Sequence, residues 1–426
     1  LPTLNLTSDP NLNRAINKIT MGDGSVKFVE QNLLNTDLTL NLSQNIPWTG
    51  GSLFLETSAQ RMDLFSEHKY SWQTSPIMIG YRQSLFGYNS LKWDKRIEPV
   101  RYQEAKKSYV ETLELVSANA INKFFALATA QSNYDIASFN YANADTLYRY
   151  AQGRYNIGTI TENEMLQLEL NRLTEETNRM NARIEMDNCM QELRSYLGIQ
   201  EEREIRVRVS SRIPDFSINL NEALALAYEN SPDIQTMKRR KLESESAVAR
   251  ARANAGLKAD IYLRFGLTQT ADKLPEAYRN LLDQQYVSLS ISLPILDWGR
   301  GKGQVRVARS NRDLVYTQVE QNRTDFELNV RKLVKQFNLQ TQRVRIAART
   351  DETAQRRNEV ARKLYILGKS TILDLNASIS EKDSARRNYV SALYNYWSLY
   401  YTLRSMTLYD FESNKLLTED YNLLIE

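Results

Sequence analysis

The sequence predicts a mixed α and β chain built by internal duplication, in which two pairs of strands each lead into a very long helical hairpin. Three observations carry that class: a unit that recurs in register, strands marked by strict alternation, and helix-forming stretches too long for a globular core. Ser84-Leu85-Phe86-Gly87-Tyr88 falls on Pro294-Ile295-Leu296-Asp297-Trp298 at a shift of 210 positions. The same shift sets Tyr155-Asn156-Ile157-Gly158 on Tyr365-Ile366-Leu367-Gly368, and Thr161 on Thr371. Repetition of this kind governs the symmetry of whatever the chain builds.

In chain order, Leu38, Leu40 and Leu42 alternate with Thr39, Asn41 and Ser43. Pro47-Trp48-Thr49-Gly50-Gly51 reads as a turn, alternation resumes at Leu53 and Leu55, and Ile77, Ile79 and Tyr81 form a further comb. In the second unit Ile261, Leu263, Phe265 and Leu267 share one face, as do Val287, Leu289, Ile291 and Leu293, before Pro294 removes a donor and ends the run. Such combs fit a membrane β-barrel and a sandwich with one solvated face equally well. The span from Leu1 to Ser84 is more than twice that from Leu257 to Pro294, so the first strand pair carries a long insertion, including Asn17 to Asn32 and Met62 to Tyr70.

The helices favour an extended architecture. From about Ile97 to Arg154 there is no proline beyond Pro99, and from about Gly303 to Leu367 neither proline nor glycine interrupts. Roughly 60 helical residues extend on the order of 90 Å, the length of a coiled coil, a solenoid strut or a tube wall. Phe326, Val330, Phe337 and Val344 recur at coiled-coil spacings. Tyr155 to Thr161 and Tyr365 to Thr371 turn the chain into return helices over Glu162 to Leu197 and Ile372 to Tyr409, with Thr161–Glu164 and Thr371–Asp374 spaced as capping boxes. The resulting division is 1–95 for the first strand pair with its insertion, 96–200 for the first hairpin and 201–216 for a connector. A helix at 217–256, the second strand pair at 257–297, the second hairpin at 298–410 and a tail at 411–426 complete it. The repeat also predicts a helix like Ser217 to Gly256 ahead of Leu1, where the chain opens without a signal peptide.

Composition excludes several chemistries. The 55 Lys and Arg against 51 Asp and Glu leave a net charge of +4, too little to argue for nucleic acid. A single cysteine, Cys189, forbids an intrachain disulfide, and a single histidine, His68, argues against a histidine metal site or a Ser-His-Asp triad. Cys189 reads as a small buried hydrophobe and His68 as a solvated loop residue. Neither a phosphate loop nor a cofactor motif is present, so no cofactor and no enzymatic activity are expected. A mean hydropathy of -0.52 and the lack of a long apolar run exclude an ordinary membrane helix but not membrane strands.

The order and spacing of these marks resemble the TolC family of outer-membrane efflux and secretion channels. The resemblance covers nearly the whole chain and rests on the duplicated strand-strand-hairpin unit. Its local marks are Leu293-Pro294-Ile295-Leu296-Asp297-Trp298-Gly299-Arg300, Leu364 to Asp374, and Asn221-Glu222-Ala223-Leu224 with Asn230-Ser231-Pro232-Asp233. The first unit departs from it, with Ser84 where the second has Pro294 and Asn89 where the second has Gly299. The resemblance implies a homotrimer with four membrane strands per subunit, a β-barrel in the outer membrane of a Gram-negative cell and a coiled-coil α-barrel through the periplasm. Segments 201–216 and 411–426 would form its equatorial region. It implies a passive exit duct of a tripartite efflux pump or type I secretion system, working with a periplasmic adaptor and an inner-membrane transporter. A coiled-coil scaffold or surface adhesin with a strand-rich head is the alternative.

Candidate site residues follow. Tyr155, Asn156, Gly158, Thr161, Tyr365, Leu367, Gly368 and Thr371 sit at the hairpin tips. They serve turn geometry and packing, or an adaptor-docking surface at the closed end of the tube, or both. By resemblance Asp374 matches an acidic residue of the periplasmic aperture, with Glu164 its counterpart in the first unit; the family's second acidic position is Ala377 here. A capping carboxylate is the equal alternative for Asp374. Trp48, Trp72 and Trp298 are candidates for an interfacial aromatic belt, or for ordinary core residues of a β domain.

Overall fold

The computed structural model describes residues 2–22, 24–65, 67–200, 204–210, 213–367 and 369–417. The chain divides into two compact units, residues 1–102 with 237–320, and 103–236 with 321–426.

The first unit is built on a six-stranded antiparallel sheet, a plain meander in the order β1 (Thr3–Thr20), β2 (Val26–Ile46), β3 (Gly51–Leu64), β4 (Lys69–Ser84), β5 (Lys258–Ala271) and β6 (Leu282–Ser292). The sequence comb puts four strands in two pairs; the structure has β3–β4 and β5–β6 as the repeat-related pairs and a further hairpin, β1–β2, ahead of them. Leu38, Leu40 and Leu42 therefore belong to this added hairpin, on β2. Met62 to Tyr70, expected as insertion, is the end of the β3–β4 hairpin, where Met62 pairs with Ser71 and Leu64 with Lys69. Asn17 to Asn32 forms the outer part of β1–β2, paired through Thr20↔Val26. Bulges break the register of β3 on β4 between Glu56 and Ser58 and of β4 on β5 between Thr74 and Ile77. Gly80 is required by packing: a Cβ there would meet the Phe54 ring at 2.1 Å, and that ring lies 5.9 Å from Tyr262.

Helix α1 (Ser90–Asn156) follows β4, and α5 (Arg300–Ile366) follows β6. Both junctions are closed by short polar side chains. The Asn89 carboxamide oxygen accepts the Lys92 amide at 2.9 Å, so α1 begins at Ser90, ahead of the expected 96, and runs through Pro99. Asp297 accepts the amides of Gly299 at 2.9 Å and Gly301 at 2.7 Å, and Gly299 takes the left-handed conformation at φ 81°. Those amide donors, Gly301 first, hold the Asp297 carboxyl below its ordinary value.

The second unit is helical. It contains most of α1 and α5, their return helices α2 (Glu162–Leu197) and α6 (Ile372–Thr407), and α3 (Leu220–Asn230). The single helix expected at 217–256 is two: α3 ends at Asn230 and α4 (Pro232–Ala255) starts anew. Pro232 cannot donate to the preceding turn and fits the first position of a new helix, and the Ser231 hydroxyl accepts the Asp233 amide at 3.2 Å. The expected seam is borne out: Phe326, Val330, Phe337 and Val344 are all buried. Phe337 lies at the centre, its ring 5.4 Å from Phe216, 5.1 Å from Tyr396 and 6.0 Å from Tyr400. The connector joins this core; Tyr396 donates to the Pro214 carbonyl at 3.0 Å, and Ile218 and Asn338 exchange two bonds of 2.9 Å. Ile205 and Val207 pack on a second cluster around Leu127, Met186 and Leu193, with half-buried Cys189 beside it. After α6 the chain makes the small hairpin β7 (Tyr409–Asp410) and β8 (Lys415–Leu416); the rest of the expected tail, 418–426, lies outside the described residues, as do 201–203 and 211–212 of the connector.

Candidate functional site

Two surfaces carry the functional question, one in each unit. On the sheet, cross-strand pairing puts the apolar combs of all six strands on one face. Leu4 pairs with Leu42 and Leu42 with Leu55; Leu55 pairs with Ile79, Ile79 with Phe265, and Leu263 with Val287. Leu289 opposite Ile261 and Ile291 opposite Ala259 extend the face along β6. Directly paired residues share a side, so the sequence-predicted combs of β5 and β6 fall on the same side, and β1 and β2 continue it. Leu289 is 59% and Leu4 65% exposed, a state that isolated apolar strands in water do not favour.

The opposite face is polar and aromatic. Arg264 on β5 pairs with Glu56 on β3 at 3.3 Å, Asn41 donates to Glu56 at 3.4 Å, and Thr3 and Ser43 hydroxyls meet at 2.8 Å. The Arg82 guanidinium lies 5.4 Å from the Tyr262 ring, and Tyr286 stands edge-on to that ring at 5.7 Å.

The three tryptophans fall at the two ends of the sheet. Trp48, 85% exposed, is in the β2–β3 turn, and Trp298, 89% exposed, is between β6 and α5 at the same end. Asn89 ties that turn down by donating to the Pro47 carbonyl at 3.0 Å. Trp72 stands on β4 toward the opposite, hairpin end, with the Arg61 guanidinium 5.6 Å from its ring. His68 is an exposed turn residue at that end, at φ 51°.

In the second unit the two hairpin tips are copies of each other down to their backbone bonds. At the first, the Thr159 amide donates to the Arg154 carbonyl and Met165 to Thr161; at the second, Lys369 donates to Leu364 and Leu375 to Thr371. Gly158 is left-handed at φ 75°; its counterpart Gly368 lies outside the described residues. Both capping boxes form. Thr161 accepts the Glu164 amide at 3.3 Å while the Glu164 carboxylate accepts the Thr161 amide at 3.0 Å. Thr371 accepts the Asp374 amide at 3.2 Å, and Asp374 Oδ2 accepts from the Thr371 hydroxyl at 2.9 Å and the Ser370 hydroxyl at 3.2 Å.

Those bonds, the Thr371 hydroxyl first, hold the exposed Asp374 carboxyl below its ordinary value. Tyr155, Asn156 and Leu367 are exposed; Tyr365 is half-buried, its phenol pushed up by burial, with Arg154 and Glu164 near enough to act on it. Asp374 and Glu164 each close on their own threonine.

Sequence reasoning missed the polar ties that join the helices above the tips. Asn140 on α1 donates to Asp383 on α6 at 2.7 Å, with Lys382 3.2 Å from the same carboxylate. Asn358 on α5 donates to Ser378 on α6 at 3.0 Å, and Arg386 reaches Asp351 at 3.2 Å. All but Lys382 and Arg386 are buried. A buried polar residue on a long polar helix has the same sequence signature as a solvated one, so only the packed structure separates them.

No curated protein matches the chain in sequence. Among solved structures, the Campylobacter jejuni CmeC outer membrane channel matches at a TM-score of 0.68 and 16% identity, over 100% of this chain and 80% of that one. The Vibrio cholerae outer membrane protein VceC matches at 0.65 and 14%, over 95% and 87%. The open state of the Neisseria gonorrhoeae MtrE outer membrane channel matches at 0.63 and 13%, over 86% and 81%. The fold is therefore that of the TolC-type outer-membrane channels. Residues 223–407, from α3 to the end of α6, match the family model described as outer membrane efflux protein. That match is confined to the second repeat unit.

Proposed function

We propose that this chain is the passive exit duct of a tripartite efflux pump or type I secretion system. Three copies close a barrel in the outer membrane and a helical tube through the periplasm. The single observation that supports this most directly is the apolar face that continues from strand to strand over β1 to β6, backed by a polar face bearing Arg264 and Glu56. Lipid on one side and water on the other is the environment that such a wall matches. Inside a bilayer an open strand edge would leave backbone donors and acceptors without partners, so the sheet must close with further copies. A scaffold or adhesin head has no use for exposed large apolar side chains on every strand.

The duct does no covalent chemistry. An inner-membrane transporter supplies the energy, and transporter and adaptor choose the cargo, small molecules or proteins. Tyr155, Asn156, Gly158, Thr161, Tyr365, Leu367, Gly368 and Thr371 form the surface the periplasmic adaptor meets. Asp374, with Glu164, supplies negative charge at the periplasmic aperture, since a carboxylate engaged in a helix cap still keeps its charge. Trp48, Trp72 and Trp298 anchor the wall at the two membrane interfaces. Opening proceeds by small shifts of the tip helices against each other. Native mass measurement in mild detergent, with conductance recorded in planar bilayers, tests the reading. A trimer that conducts is expected; a stable monomer without conductance refutes it.

A further inference from the structure

The outer edges of β1 and β6 have no ladder partner among the described residues, and they belong to one sheet with an even number of strands. In a six-stranded meander β6 runs opposite to β1. A β6 edge set against the β1 edge of a second copy therefore makes an antiparallel junction like every other in the sheet. The faces also match across such a junction. On β1, Leu4 and Leu6 lie on the apolar side and Thr3, Asn5 and Thr7 on the polar side; on β6, Leu289 and Ile291 lie opposite Ser288 and Ser290. Leu4 and Leu6 are as exposed as Leu289 and Val287, so β1 carries the same lipid-type face as the strands of the repeat. A hairpin standing free in water would gain nothing from it.

The sequence also marks where the junction stops. Pro10 has no N–H to give a ladder, and Asp9 pairs directly with Asp37, a like-charge pair that belongs outside a bilayer. Beyond Leu33, which pairs with Leu64, β2 has no β3 partner among the described residues, and β1–β2 continues as a two-stranded ribbon up to Thr20 and Val26. The wall segment of β1 is thus Thr3 to Ser8, beside the β6 comb.

We propose that β1 of each copy pairs with β6 of the next, so that all six strands enter the wall and a trimer closes an eighteen-stranded barrel. The inference rests on the trimeric-duct reading and adds to it the junction and the strand number. Barrel diameter grows roughly linearly with strand number, so this bore is about 1.5 times as wide as that of a twelve-stranded barrel. The added hairpin widens the outer exit, and its ribbon stands beyond the bilayer on the hairpin side.

Disulfide trapping in outer-membrane vesicles tests the junction. In a Cys189→Ser background, cysteines replace Thr3, Asn5 or Thr7 on β1 in combination with Ser288, Ser290 or Ser292 on β6. All six lie on the polar face, so one register among the combinations must bring a pair together. Thr3→Cys with Ser43→Cys, whose hydroxyls already touch at 2.8 Å within one chain, controls for oxidation. Native mass of each variant in mild detergent reports assembly. Expected are reductant-sensitive dimers and trimers on a denaturing gel for at least one combination. A native trimer with the control oxidised and no interchain cross-link in any combination overturns the β1–β6 junction and leaves the duct standing. A monomer by native mass in the uncross-linked parent overturns both.

Discussion

Leu289→Arg separates a membrane wall from any soluble sheet. Leu289 lies on the apolar face of β6 opposite Ile261, four residues from Gln285, the polar residue that interrupts that face toward the hairpin end. It lies the same four positions from Leu293 at the helix end. At 3.4 Å per residue and a tilt of about 45°, four residues correspond to roughly 10 Å of depth, which puts Leu289 near the middle of an apolar band about 25 Å tall. Arginine at that depth costs about 2–4 kcal/mol. Ser288→Arg, one residue away, points to the polar face beside Tyr262, where substitution costs about 0.5 kcal/mol or less. Urea titration of chain reconstituted in lipid vesicles, followed by tryptophan fluorescence, measures both. Equal costs for the two substitutions would show that β6 does not separate lipid from water, and the barrel reasoning would fail.

Three other outcomes are expected. Phe337→Ala, in the middle of the aromatic cluster of the helical unit, costs about 3–5 kcal/mol and lowers the thermal unfolding midpoint measured by circular dichroism; an unchanged midpoint refutes that core. Thr161→Ala and Thr371→Ala each remove a helix cap worth about 1 kcal/mol, so amide exchange should quicken in the first turns of α2 and α6 and nowhere else. Asp374→Ala lowers cation preference in bilayer recordings, and unchanged selectivity would leave Asp374 as a cap alone. Its pH dependence has a fixed sign. The folded carboxyl is held below its unfolded value, so its contribution is complete above the ordinary carboxylate range and is lost as pH falls through the lowered value. Protection factors at the second tip, corrected for the intrinsic pH dependence of amide exchange, should fall on acidification, and that response should vanish in Asp374→Asn.

The duplication, the combs and the tips were legible because each rests on a local rule. Alternation of period two identifies the faces of β5 and β6, and the Thr-x-x-acid spacing identifies both capping boxes before any packing is known. The α3–α4 break was legible too, in Ser231-Pro232, but alanine-rich sequence on both sides drew the helix across it. The added hairpin was half-legible. The comb of Leu38, Leu40 and Leu42 shows a strand, but only pairing with both Leu4 to Ser8 and Leu55 to Ala59 shows that it lies between β1 and β3 and pushes the repeat's own pair to β3–β4. The ties from Asn140 to Asp383 and from Asn358 to Ser378 left no mark in the sequence, because their meaning lies in partners more than 200 positions away or across the hairpin.

On the proposed duct reading, those ties make the tips the place to open. Along α5 and α6 the helical unit changes its means of cohesion. Far from the tips, Phe337, Tyr396, Tyr400 and Leu403 are sealed in an apolar cluster, and shifting one helix there exposes rings worth several kcal/mol each, about 3–5 for a phenylalanine. Toward the tips the buried apolar side chains are smaller, Ala144, Ala151, Leu168 and Leu375, and polar contacts between helices stand beside them: Asn358 to Ser378, Asn140 to Asp383, and Arg386 to Asp351. Each is worth about 1 kcal/mol net in place, and a lost partner can be replaced by water as the groove between helices widens. A force applied at the tip loops therefore works against the weaker end of the unit, while the aromatic cluster and the connector residues Pro214 and Phe216 hold the far end in register. The same sequence that keeps the hairpins long and free of glycine over most of their length leaves their ends without an aromatic cluster and joined in part by polar contacts that exchange readily.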